Sequence, residues 1–280
     1  MKRSKVVYAA IMMAGMSLWS QGASADYMRG ALTADDSGQF YCEAAKNWCF
    51  GLASVQEDAE GKSAPVLVVI HEGNEIARQK IVLADASEEE VFGWQKTAIW
   101  QAWISGPAQS APFLIGITRT TSVGYSGGGA SVSMLSLVRV DPGAMDAKTQ
   151  RPPSFDVVGM LPIQSSKMIR ACFSEQDVLD RQEHCHDVYE FDADITPIRL
   201  GDGEGMDDLP ALQYQARASK FPRWADLTKD STTMPPLEAQ DLVAAPDPDC
   251  SFDRVLGFDS DARTYQIDIP ADDCSTYWVP

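Results

Sequence analysis

The chain has 280 residues, with 40 Asp and Glu against 23 Lys and Arg and a formal charge of −17. A surface this acidic excludes the nucleic-acid backbone as a natural partner. The longest apolar run, Val6 to Trp19, is 14 residues, short of the roughly 18 or more that a spanning helix requires, so no membrane span is expected.

The start reads as a cleavable secretory signal: Lys2, Arg3 and Lys5 precede the apolar run, and Ala23-Ser24-Ala25 supplies the small residues of a cleavage site. Cleavage near Ala25 would leave residues 26–280 as one disulfide-containing, β-rich domain, periplasmic or secreted, with a charge near −20. Asp26 follows the cut, so no cysteine stands there to carry a lipid. A chain of this size buries a sizeable core unaided, and its cysteines add stability rather than create it. Six cysteines in an exported chain read as three disulfides. The residues fall into three close couples. Of the pairings available, nearest neighbours are therefore expected: Cys42 with Cys49, Cys172 with Cys185, and Cys250 with Cys274. Each would close a local loop worth about 2 to 4 kcal/mol. No C-x-x-C pair points to metal.

Strand patterns begin at 48–55. Val66 to Ile70 and Ile76 to Leu83 flank Glu72-Gly73-Asn74 and read as a hairpin. A short helix is expected from Ser87, whose hydroxyl and the acids Glu88, Glu89 and Glu90 offer a capping box ahead of Val91, Phe92 and Trp94. Further strands are expected at 98–105, 113–119, 131–140, 155–160 and 188–195. Leu212, Tyr214 and Ala216 alternate with Gln213, Gln215 and Arg217 in a half-buried strand. The same period at Tyr265, Ile267 and Ile269 suggests a second hairpin, turning at Asp259-Ser260-Asp261 from Leu256 and Phe258. Residues 141–153 and 234–248, rich in Pro, Asp and Ala, read as loops or boundaries. The fold class is mainly β: antiparallel strands in a two-sheet sandwich or a small propeller-like array, with at most short helices.

Gly124-Tyr125-Ser126-Gly127-Gly128 satisfies G-x-S-x-G, and Ser126 is the candidate nucleophile of a secreted serine hydrolase, with His184 or His186 as base. The surroundings argue against it. Arg119 to Ser122 is polar where a buried parallel strand is needed, and Ser131 to Val140 reads as a strand rather than a helix. The order His71, Asp85, Ser126 also matches a chymotrypsin-like triad, but only 55 residues separate His71 from Ser126. A glycine-rich hairpin explains the segment better, with Tyr125, Ser126, Gly127 and Gly128 as a recognition loop or simply a turn that needs positive φ.

In a strand over 188–195, Tyr189, Phe191 and Ile195 face inward, while His184, His186, Glu190, Asp192 and Asp194 face outward. Two imidazoles beside Glu190 and Asp192 are able to hold Zn²⁺ or Cu²⁺; the plain reading is a solvated polar face. Asp202, Glu204, Asp207 and Asp208 offer oxygens to Ca²⁺ without the EF-hand spacing, and Asp247, Asp249, Asp259 and Asp261 suit Asx turns. No cofactor is required by any motif. The acidic excess is concentrated, with twelve acids against Arg181 and Arg199 over 174–208 and nine against Arg254 and Arg263 over 241–275.

The segments Arg170 to Glu175, Cys185 to Tyr189 and Tyr125 to Ser131 resemble exported proteins of Gram-negative bacteria. That resemblance implies export and paired cysteines, and no activity. The function expected is non-enzymatic: binding of a partner, protein or other, in the cell envelope. A basic protein restrained by an acidic inhibitor is the favoured case, and the Ser126 hydrolase is the alternative.

Overall fold

The computed structural model describes residues 27–45, 47–57, 63–83, 94–106, 111–143, 153–199 and 209–278. The secretory signal, the short helix expected at Ser87 to Glu90 and the acidic loop from Asp202 to Asp208 lie outside them. Chain order begins with β1 (Met28–Ala31), β2 (Thr33–Ala34), β3 (Phe40–Cys42), β4 (Trp48–Glu57), β5 (Ser63–His71) and β6 (Asn74–Lys80). Four long strands follow: β7 (Trp94–Ser105), β8 (Phe113–Tyr125), β9 (Gly128–Asp141) and β10 (Ser154–Arg170). After α1 (Glu175–Asp180) come β11 (His186–Ile198) and β12 (Ala211–Phe221), then the short β13 (Ala245–Pro246), β14 (Phe252–Leu256), β15 (Phe258–Asp259) and β16 (Thr264–Tyr265), and α2 (Ala271–Trp278).

The fold is a mainly antiparallel β sandwich. One sheet has nine strands in the order β1-β7-β8-β9-β10-β11-β12, with both β13 and β14 on the far edge of β12; the other runs β2-β3-β4-β5-β6. A propeller needs repeated blades, and here a single long meander forms the larger sheet instead. The chain starts in that sheet, crosses at buried Leu32 into the smaller one and returns at β7. The large sheet curls until its edge strand β1 lies against β11, where Arg29 pairs with Asp194.

The first part of β8, Phe113 to Ile117, and the facing part of β9, Leu135 to Val138, are buried on both faces because both faces are covered. Phe113, Ile115, Ile117, Val138 and Val140 pack under Phe50, Leu67 and Val69 of the smaller sheet, and the rings of Trp48 and Trp103 lie 5.0 and 5.6 Å from that of Phe113. Each such side chain contributes about 1.5 to 3 kcal/mol on burial. On the opposite face Leu135, Leu137, Leu161, Phe191, Ile195 and Tyr214 are covered in part by Tyr265 and by Tyr277 of α2. The hydroxyls there have acceptors: Tyr214 donates to the Pro162 carbonyl at 2.6 Å, Tyr265 to that of Pro210 at 2.8 Å, and Tyr277 to Asp247 at 2.9 Å. A buried hydroxyl without a partner would be costly.

All three disulfides join nearest neighbours, as the spacing suggests: Cys42–Cys49, Cys172–Cys185 and Cys250–Cys274. Cys42 and Cys49 stand directly opposite each other in the β3–β4 ladder. Three disulfides fit a chain that folds in an oxidising compartment. Among the described residues no helix is long and apolar enough to cross a membrane. The hairpin expected after Leu256 forms only as a two-residue ladder, Phe258 with Tyr265 and Asp259 with Thr264. Beyond Tyr265 the chain leaves the sheet, and Ile267 is exposed.

Candidate functional site

Ser126 is exposed at the tip of the β8–β9 hairpin, with Tyr125 paired to Gly128 across a two-residue turn. Gly127 has φ +81°, and a Cβ on Gly128 would lie 2.2 Å from the Met168 carbonyl oxygen, so both positions demand glycine. The strand therefore turns into another strand, not into the helix of a nucleophile elbow. His71 lies against Trp48, ring centroids 4.2 Å apart and tilted, and the Trp48 ring meets Phe113 at the beginning of β8, whereas Ser126 follows its end. Phe113 and Tyr125 are twelve steps of extended strand apart, roughly 40 Å; Asp85 is outside the described residues. Tyr125 ties the hairpin down, its hydroxyl donating to the Met168 carbonyl at 3.0 Å.

His186, Glu190 and Asp192 share the face of β11 turned away from the core, and His186 pairs with Arg170 across β10. The Arg170 guanidinium lies 5.0 Å over exposed Phe173, and its side chain runs beneath Gly127, so His186 and the hairpin tip border one shallow depression. His184 precedes the strand, its Nδ1 2.8 Å from the Gln182 carbonyl. Among the described residues no three His, Cys, Asp or Glu are grouped to hold a metal ion. Asp247 and Asp259 form the Asx turns expected of them, accepting the amides of Asp249 and Asp261.

The described acids of the 174–208 stretch, Glu175 to Asp194, are not one patch in three dimensions. Asp177 accepts the Phe173 and Ser174 amides at 2.8 Å and completes the capping box of α1 with Ser174, a helix start not singled out from sequence although it has the S-x-x-D form. Asp194 is matched by Arg29. Asp187 is buried.

Asp187 marks the feature that sequence reasoning missed, a cavity of about 660 Å³ beyond the ends of β11 and β12. Strand alternation puts Asp187 on the inward face with Tyr189 and Phe191, and a carboxylate there needs a cation. Arg181 supplies it: the pair is 7% and 2% exposed, and the Ser231 hydroxyl donates to the other Asp187 oxygen. Arg181 also donates to the His184 carbonyl at 3.1 Å.

The cavity's roof is the excursion between β12 and β13. Pro222, Pro235 and Pro236 lack the amide that a ladder requires, so the segment loops out. Its turns are closed by carboxylates. Asp226 accepts the amide and hydroxyl of Thr228 at 2.9 and 2.7 Å and pairs with Lys229 at 2.8 Å. Asp230 accepts the Thr232 amide at 2.9 Å, and Asp241 accepts the Glu238 amide and the Trp224 indole N–H at 2.9 and 2.7 Å. Lys229, then Thr228, hold the Asp226 carboxyl well below the usual carboxylate range. Buried Leu237 fastens the roof to α1 and the turn after it: its amide donates to the Asp180 carbonyl at 2.7 Å and its carbonyl accepts from Gln182 at 2.5 Å. The walls carry Trp224, Met234 and three prolines.

No protein-family model, curated protein or solved structure is significantly similar to this chain.

Proposed function

We propose that this chain is an exported, non-catalytic binding protein of the cell envelope and that its ligand occupies the cavity under residues 222–241. The observation that carries the reading is the cavity itself. Its volume suits a small molecule or the end of a peptide, it sets Trp224, Met234, Leu237 and three prolines beside a set of charged side chains, and its roof is anchored at both ends to a disulfide-tied sheet. A binding role is favoured because Asp187, Asp226 and Asp241, the carboxylates a catalytic reading would use, already accept from Arg181, Lys229 and the Trp224 indole. Export is favoured by the three-part start of the sequence, and Edman sequencing of secreted or periplasmic material should begin at Asp26.

The test of the site is to block it. Gln240 is exposed at the rim, so Gln240→Trp should obstruct the mouth without touching the core. Fragments that bind the mature chain in saturation-transfer NMR should lose their signal in this variant while its thermal midpoint is unchanged. Hits that persist in the blocked protein place the binding site elsewhere and overturn the assignment.

A basic partner is the second reading, favoured by the formal charge of −17. It requires that such a partner be retained from envelope extract at low salt and released as salt rises; retention indifferent to salt ends it.

A further inference from the structure

We infer that the ligand of this cavity is an amphipathic anion, a carboxylate on an aromatic or other apolar body; the inference rests on the cavity being a binding site. Four cationic and four anionic side chains line it, Arg181, Lys220, Arg223 and Lys229 against Asp187, Asp226, Glu238 and Asp241. The site is thus formally neutral within a chain of charge −17, and what it offers a ligand depends on which of these groups are already engaged. Every one of the carboxylates accepts at least one hydrogen bond from the protein: from Arg181 and Ser231, from Lys229 and Thr228, from Gln240, and from Trp224. Two of the cations are consumed in those pairs. Among the described residues no carboxylate pairs with Lys220 or Arg223.

Lys220 is the more telling of the two. Leu212, Tyr214, Ala216 and Ala218 occupy the inward face of β12, and Lys220 continues that series two residues further on, directly across from core-facing Tyr189. It is a half-buried ammonium on the apolar side of a sheet, under the roof of the cavity. A cation so placed, with no partner among the described residues, is most stable when an anion enters beside it. Arg223 stands exposed at the same cavity, 4.8 Å over the Trp224 ring, where a planar carboxylate is able to meet a guanidinium and an aromatic face together. Trp224, Met234, Pro235 and Pro236 then cover the apolar body.

The experiment compares three probes that share one body, 2-naphthylacetate, 2-naphthylacetamide and 2-naphthylethylamine, by titration calorimetry against the mature chain at low ionic strength. The carboxylate should bind about tenfold tighter than the amide, as a charge-assisted hydrogen bond implies, and the amine more weakly than either. Lys220→Met should bring the acid to the affinity of the amide while leaving the amide unchanged, and Lys220→Arg should restore the preference. Arg223→Gln, at an exposed position, gives a smaller loss of the same kind and serves if the Lys220 variants do not fold. Equal binding of acid and amide, or preference for the amine, overturns the anion assignment while the site stands. Failure of all three at millimolar concentration, or binding unaffected by Gln240→Trp, overturns the site and with it the anion.

Discussion

The side of the large sheet that lies under the smaller one and the side that carries the cavity are held together by different physics. On the first, Phe50, Leu67, Val69, Ile115, Val138 and Val140 are fully buried, and none has a polar side-chain atom to satisfy. On the second, tyrosine hydroxyls, an ion pair and the Cys250–Cys274 disulfide are buried among the apolar groups. Apolar packing is non-directional and grows with the area removed from water. Hydrogen-bonded links are directional and costly when half made, so they fix the positions of segments too poor in apolar residues to pack by themselves. The excursion of residues 222–241 is such a segment, and the cavity exists because its carboxylates close its turns.

Four measurements would break or sharpen this comparison. The largest effects come from one truncation on each side. Phe50→Ala should cost about 3 to 5 kcal/mol in denaturant unfolding by opening a void, and removing a neighbour as well should not recover it. Asp187→Ala should cost about as much, because it strands buried Arg181. There Arg181→Met in the same chain should recover much of the loss. A double substitution no more stable than Asp187→Ala would contradict the account of this side.

Next come the bridges. Replacing Cys250 and Cys274 by Ala opens a loop of sequence separation 24, against 7 for Cys42 and Cys49. Loop-closure entropy makes these losses about 3.5 and about 2.4 kcal/mol, and an inverted order in thermal melts would show that native packing, not chain entropy, governs them. Acid should act more gently. Asp226 and Asp230 are both held below the ordinary value of 3.8, Asp226 chiefly by Lys229 and Asp230 chiefly by the Thr232 amide. A depressed folded pKa means that the stabilisation is complete above about pH 3.8 and is lost as pH falls through the folded values. The Thr228 and Thr232 amide shifts should thus be constant from pH 7 to 5 and move only below about 4, before those of β4 and β5. The smallest effect belongs to the hairpin tip. Ser126→Ala should change stability by less than about 0.5 kcal/mol and leave the protein as unreactive to a fluorophosphonate as before; labelling that depends on Ser126 would restore the hydrolase reading.

Much of the fold is legible in the sequence because its signals are local. Alternation at Leu212, Tyr214 and Ala216 marks an inward face whichever strands lie beside it, and the cysteine couples pair correctly because residues 7 to 24 apart meet readily in a local loop. Gly127 and Gly128 announce a hairpin turn, a matter of their own backbone angles and clearances. The same alternation, carried two residues past its expected ends, would have drawn notice to Asp187 and Lys220 as charges on apolar faces.

What remained for the tertiary structure was everything that depends on residues distant in sequence. It decided for a sandwich, since the choice turns on the crossing at Leu32 that lays β2 to β6 over β8 and β9. It decided which acids keep their charge to themselves: Asp194 meets Arg29 from 165 residues away, a pairing that the curl of the sheet creates. It made the cavity, whose roof, floor and walls come from β11, β12, the turn after α1 and the 222–241 excursion. Sequence by itself determines periodicity, turns and local bridges, because these are set by neighbours along the chain; a cavity is set by neighbours in space.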